Sequence, residues 1–382
     1  MEFLGYKRDE GKYGVRNHVL VVSSVSCANG VVDAIGRLFP DVITIQHTYG
    51  CGYGPDDFMT SMKVLSGIIN NPNVGAVLVV GLGCELLKAD YLAQAAQGKP
   101  AEALVIQQAG SAATTKKGID ITENFLSHLA QQKRVPAPVS GLLVGLKCGG
   151  SDAFSGVTAN PSLGAAADLL VGKGATVVMG EVTEMIGTSH ILKKRCADTD
   201  LGARLEKMIL DHEKHVRDSL GELAGLVIAP GNMDGGLSSI TEKSLGCNAK
   251  SGTTTINELV KYGSRPTQKG LIIMNTPGYD IDCMAGMASG GAQIIVFTTG
   301  RGTPAGFPAV PVIKVSSNSN IFNNMAGDID INAGSILDEG TTIEYVGREI
   351  FGLCLKVANG ELTRAEINKS TPFSCLKTGP TF

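Results

Sequence analysis

The sequence predicts an α/β protein, with a doubly wound, mostly parallel sheet and a second α/β domain. Short continuous apolar runs alternate with segments of helical period, the pattern of strands covered on both faces. Glycine is abundant, at 49 of 382 residues, whereas aromatics make up 5% and Trp is absent. Many Gly, Val, Ile and Ala with few aromatics suit parallel sheets joined by functional loops. The length exceeds what one ordinary core holds, so two domains are expected, over 1–135 and 140–382.

The elements follow in order. His18 to Val25 (HVLVVSSV) reads as a strand and CANGVVDAIGRLF as the next helix. Asp41 to His47 is a second strand, followed by a helix that opens on Pro55 and two acids, as helix amino ends prefer. AVLVVGLG is a third strand, with helix from about Glu85. ALVIQQ is a fourth, with helix towards Gln132. Lys133 to Gly141 (KRVPAPVSG) reads as a linker on its two prolines. Beyond it, GLLVGL and ATVVMGE are strands around the helix PSLGAAADLLVGKG, and a charged helix covers Asp198 to Leu223. Ala229 to Thr255 is Gly-, Ser-, Thr- and Asn-rich with little periodicity, and is expected to be a structured site loop. LIIMNTPG, QIIVFTTG and VPVIKVSS are further strands, and Thr342 to Lys369 is helical.

Composition excludes several classes. The net charge is −3 and no basic stripe carries interleaved aromatics, so no nucleic-acid partner is expected. No apolar run spans a bilayer, and the charged amino-terminal segment lacks the apolar core of a signal peptide. A cytoplasmic address with reduced thiols is the expectation. The sequence holds no C-x-x-C pair, no G-x-G-x-x-G after the first strand, no Walker A motif and no G-x-S-x-G. Zinc-ribbon, thioredoxin, dinucleotide-dehydrogenase, P-loop and α/β-hydrolase readings are therefore disfavoured.

The cysteines carry the chemical signal. Cys27, Cys51, Cys84, Cys148 and Cys247 sit in glycine-rich turns, most of them directly after an apolar run. A thiol at the carboxyl end of a strand points into the crevice where open α/β sheets bind ligands. His47 and Cys51, in H-T-Y-G-C, can reach one point from a single turn, either as metal ligands or as a thiolate with its imidazole. Glu85 beside Cys84 reads most simply as a helix-start acid. Cys148 lies in KCGGSD with Asp152 close by, and Cys247 ends SITEKSLGC, which also carries Lys243. Glu181 and Glu184, three apart, share one helical face. Arg301, among glycines at a strand's end, suits bidentate recognition of a carboxylate. Cys196, Cys283, Cys354 and Cys375 read as core or incidental, and His212 and His215 as solvated.

The ordered series GVRN, HTYGC, NPNVGAVLVVGLGCE, CGGSD, SGVTANPSLG, EVTEM, GN-x-x-GG, EKSLGC and TTGRGTP resembles the altronate dehydratase/galactarate dehydratase family from about Tyr6 onward. The resemblance implies a hydro-lyase that removes water from a sugar acid to give a 2-keto-3-deoxy acid. It also implies a divalent metal, iron(II) (Fe2+) as a rule and manganese (Mn2+) in some members. The sulfolactate sulfo-lyase large subunit is a related branch. Full-length members begin with a small SAF domain; this sequence starts at GYKRDEGKYGVRN, similar to a split form whose small SAF-domain subunit is a separate partner.

On this resemblance the substrate is a small hydroxy acid and a homo-oligomer is expected. Metal ligands are expected among Cys51, Cys84, Cys148 and Cys247, as a mononuclear site or an iron–sulfur cluster. Arg301 and Lys243 are the candidates for holding the substrate carboxylate, and Glu184 or His47 for the base. Elimination of sulfite from sulfolactate, and a non-catalytic partner subunit, are the competing readings.

Overall fold

The computed structural model describes the backbone of residues 1–382, and all side chains except those of residues 10 and 224–226. The strands in chain order are β1 (Glu2–Lys7), β2 (Tyr13–Gly14), β3 (His18–Ser23), β4 (Ile43–Ile45), β5 (Val74–Gly81), β6 (Ala101–Val105) and β7 (Val135–Pro138). They continue with β8 (Leu143–Cys148), β9 (Thr176–Met179), β10 (Ile256–Val260), β11 (Gly270–Met274), β12 (Ile294–Thr299), β13 (Val312–Ser316) and β14 (Ile331–Asn332).

Two parallel sheets form. One has four strands in the order β4-β3-β5-β6, and the other has seven in the order β10-β11-β9-β8-β12-β13-β14. The predicted α/β class is therefore the observed one. Central strands β5, β8 and β12 are buried along their whole length, which explains their continuous apolar runs. Each sheet reverses winding direction once. In the smaller sheet the chain leaves β3 for β4 on one side and returns to β5 on the other. In the larger sheet it leaves β8 for β9 and later returns to β12 on the opposite side of β8. Such reversals open a crevice at the carboxyl ends of the strands.

Three local expectations change. The predicted linker contains a strand: β7 pairs antiparallel with β1, and Pro136 and Pro138 are tolerated because β7 is an edge. The predicted fourth strand stops at Val105, and helix starts at Ile106 with a break at Gly110 (φ 79°). The site loop is largely helical, with short helices Pro230–Asp234 and Ile240–Asn248. Ser239 caps the second by accepting from the Glu242 N–H, which outweighs its weak periodicity.

The two sheets share one apolar cluster, in which Leu20, Val22, Val77 and Val79 pack with Met274, Phe297 and Val312. Helices Pro55–Ile69 and Asp280–Ser289 form the seam between them. Both helices end together, since a Cβ on Gly67 would lie 2.1 Å from Ser289 Oγ. The carboxyl-terminal segment spans these helix starts, with Ser374 bonded to Asp282 and the Thr378 and Gly379 N–H groups donating to Asp57 at 2.8 and 2.9 Å. Among the described residues no helix is long and apolar enough to cross a membrane.

Candidate active site

The larger sheet's crevice is built from β8 outward. Lys147, at the end of this buried strand, has no exposed surface, so its ammonium requires partners there. It contacts the Glu181 carboxylate and lies 2.8 Å from Asp280 Oδ1, at the start of the helix after β11. Glu181 follows β9 and adopts a left-handed backbone (φ 69°), a sparsely populated conformation for a non-glycine residue. Its surroundings hold it there. Its N–H donates to Thr276 Oγ1 at 2.7 Å, and its carboxylate accepts from the Cys148 N–H at 3.0 Å and from Lys250 Nζ at 2.6 Å.

The next 3-10 turn, Val182–Met185, turns Glu184 into the same space. Helix Ile240–Asn248 supplies Lys243 and Cys247 from one face, four residues apart, and Lys250 follows in the next turn. This helix sits close to the turn after β8, because a side chain on Gly246 would come within 3.0 Å of Gly156 Cα. Three donors converge as a result: Cys148 Sγ lies 3.1 Å from Cys247 Sγ and 2.7 Å from Glu184 Oε2. All three ligand atoms fall within 4.8 Å of one another, all three residues are buried, and no disulfide joins the thiols. Glu184 Oε1 lies 2.6 Å from Lys243 Nζ, and Lys250 Nζ lies 3.1 Å from Cys148 Sγ.

Charge explains the protonation states. Burial pushes the Glu184 carboxyl up, but Lys243, Lys250 and Lys147 more than reverse this and leave it well below the usual range. Burial would also discharge Lys147 and Lys250; the facing carboxylates and thiols instead hold both well above the ordinary lysine value. The Cys148 thiol is pushed well up, first by burial and then by Cys247.

A cavity of about 470 Å³ opens onto this cluster, and Glu184, Lys243, Tyr279, Asp280, Arg301 and Gly150 are among its lining residues. A neighbouring cavity of about 300 Å³ shares Lys243 and reaches Cys247 and Asn160. Asn160 Nδ2 is buried there without a hydrogen-bond partner. Asp152 is committed elsewhere, accepting from Ser155, Ser317 and Asn318.

The structure thus brings Cys148, Cys247, Glu184 and Lys243 together, with Arg301 on the same cavity. Cys51, Cys84 and His47 stand on loops at the edge of the smaller sheet. Both thiols are exposed there, while His47 is buried with Nε2 unpartnered. His212, expected to be solvated, instead pairs its Nε2 with Thr183 Oγ1 at 2.8 Å. Sequence reasoning passed over Lys147, Lys250 and Asp280. The signal for Lys147 was a lone cation ending an apolar run, and for Lys250 its spacing of three from Cys247.

Residues 139–381 match the family model described as D-galactarate/altronate dehydratase, C-terminal, and residues 5–130 match D-galactarate dehydratase/altronate hydrolase, second domain. The chain belongs to this family. It is 34% identical to an altronate dehydratase of Bacillus subtilis, over 99% of this chain and 78% of that protein. It is 38% identical to a galactarate dehydratase (L-threo-forming) of Escherichia coli, over 94% of this chain and 73% of the relative. It is 32% identical to a (2R)-sulfolactate sulfo-lyase subunit beta of Chromohalobacter salexigens, over 95% of this chain and 94% of that subunit. Dehydratases are hydro-lyases, so the chain is a member of an enzyme family whose named relatives eliminate a group from small acids.

Proposed function

We propose that this chain dehydrates a small polyhydroxy acid, an altronate-like aldonate or aldarate, to a 2-keto-3-deoxy acid. The observation that carries this reading is the convergence of two buried thiols and a carboxylate beside a cavity that also presents Lys243 and Arg301. Three donors with an open side suit a catalytic metal, and a set of two sulfurs and one oxygen suits iron(II) over magnesium. Cys148, Cys247 and Glu184 would hold that ion. When bound, it would supply Lewis-acid stabilisation for the negative charge that develops when a proton leaves the carbon next to a carboxylate.

The chain's own groups do the rest in this reading. Arg301 and Lys243 bind the substrate carboxylate and orient the acid in the cavity. Glu184 serves as an oxygen donor in place of the base role, because its Oε2 lies 2.7 Å from Cys148 Sγ and its Oε1 lies 2.6 Å from Lys243 Nζ. Asp280 takes the base role: it lines the cavity, its side chain is 34% exposed, and Lys147 holds it in place. His47 stands on the other sheet's edge and takes no part in this chemistry.

In the same reading residues 1–135 and 140–382 form two α/β domains, supported by the division of the parallel sheets between them. A small SAF-domain partner and a cytoplasmic setting belong to the same proposal; support for a partner comes from the relative that is itself called a subunit. Sulfite elimination from sulfolactate is the second reading, favoured by the 94% coverage of that subunit. The test is turnover of altronate, galactarate and sulfolactate with iron(II), with and without a small partner chain. Metal content and turnover are then measured for Cys148→Ser and Cys247→Ser. Dehydration that depends on both thiols supports the reading; full metal content and full turnover in both variants would overturn it.

A further inference from the structure

A second set of thiols lies outside the site described above. Cys27, Cys51 and Cys84 follow β3, β4 and β5, three adjacent strands of the smaller sheet. Ser23 pairs in register with Val80, and Cys27 and Cys84 each lie four residues beyond that pair. These two loops flank the winding reversal between β3 and β5, where an open parallel sheet binds its ligand.

Main-chain contacts tie the loops together. The Ser26 N–H donates to Tyr49 O at 2.8 Å, and the Leu87 N–H donates to Gly50 O at 3.2 Å. Ser24 Oγ donates to Glu85 Oε1 at 3.0 Å, linking the first loop to the third. Gly50 has φ 97°, and a Cβ there would lie 2.2 Å from Ser24 O, so only glycine lets the Cys51 loop press onto the Cys27 loop. The residues next to all three cysteines are therefore in contact.

Free cysteine is among the residue types most often buried. Cys283, Cys354 and Cys375 obey that rule here, yet Cys27, Cys51 and Cys84 are all unpaired and exposed on one edge. Cations gather at the same loops. Lys88 Nζ donates to Gly83 O, and Lys377 Nζ stands 5.3 Å from the Tyr49 ring centroid. Lys377 is shared with Asp57 Oδ2 at 3.7 Å, and the Lys88 ammonium adds positive charge that favours a thiolate-bound, negatively charged group.

We propose that Cys27, Cys51 and Cys84 bind an iron–sulfur cluster through three of its irons, leaving the remaining iron open to a small oxygen ligand. The proposal goes beyond the Cys148–Glu184–Cys247 site and does not depend on which acid that site processes. Its test is anaerobic reconstitution with ferrous iron and sulfide, followed by assay of acid-labile sulfide and visible absorption. The wild-type chain should take up on the order of four labile sulfides, with at least as many irons. Cys27→Ser, Cys51→Ser and Cys84→Ser should each lower labile sulfide by about tenfold or more, whereas Cys148→Ser should retain it. A second measurement needs no variant. In the reconstituted wild type these three thiols should resist alkylation, and they should become reactive once the cluster is stripped by chelator and oxidant. Absence of labile sulfide in the wild type, its retention in any of the three variants, or its loss in Cys148→Ser would overturn the proposal. So would unchanged alkylation after stripping. Absence of dehydration by the wild-type chain with the labile sulfide intact would instead count against the proposed function alone.

Discussion

Lys147 decides much of the site's energetics. Its buried ammonium is matched by Glu181 and Asp280, and Lys250 completes the balance for Glu181. Removing one member of such a buried set leaves an unmatched charge, which costs about 3–5 kcal/mol. Lys147→Met should lower stability by that amount in urea unfolding, and should abolish turnover because Asp280 loses its anchor. Cys148→Ser should remove a soft ligand; iron(II) affinity measured in sulfide-free protein, where no cluster can assemble, should fall by at least about tenfold, with turnover following it. His47 offers a test by pH. Burial lowers its pKa to about 4, so the folded protein keeps it neutral while the unfolded chain protonates near the usual value. Between these two values the unfolded state binds more protons, so stability rises with pH in that window and falls on acidification. The loss should total about 3 kcal/mol from pH 7 to 4. Denaturation midpoints of wild type and His47→Gln across that range check it, since the variant should lose this component.

At the scale of elements, the helix Ile240–Asn248 is the one on which the site turns. It carries Lys243 and Cys247 to the cluster but is short, with one side-chain cap at Ser239. Ser239→Ala should cost about 1 kcal/mol and, by loosening this helix, should weaken iron retention more than it weakens overall stability. Thermal unfolding and an iron-chelator competition, run side by side, separate the two effects. This element also shows why the sequence was hard to read. Its apolar periodicity is weak, and Ser, Gly, Asn and Thr surround it, so composition pointed to a loop. The cap and the packing against Gly156 settled helix instead. β1, β2 and β10 also escaped sequence reading. β1 is a six-residue run interrupted by Gly5 and bounded by Glu2 and Lys7, β2 has only two residues, and β10, the edge strand of the larger sheet, is buried only at its ends.

Across the whole molecule, buried asparagines tie the seam between the sheets. Asn71 Nδ2 donates to Ala288 O and Ala292 O at 2.8 Å each, and Asn73 Nδ2 donates to Gln293 O and Ala309 O. Asn71→Ala would leave buried carbonyls on the far side of the seam without donors, a loss of about 1–3 kcal/mol in chemical denaturation. What the sequence determined alone was the α/β class, the positions of the central strands and the residue types of the site. Continuous apolar runs and thiols in glycine turns are local signals, fixed by covering both faces of a sheet and by the need for close backbone approach. Which thiols meet was decided only by tertiary structure. Cys51, Cys84, Cys148 and Cys247 look alike in sequence, since each follows or borders a glycine. Strand order then sends the first two to the smaller sheet's edge and Cys148 to the larger sheet's crevice, where the helix Ile240–Asn248 brings Cys247 to meet it. Strand order depends on crossovers and on the packing of distant helices, and no residue window contains that information.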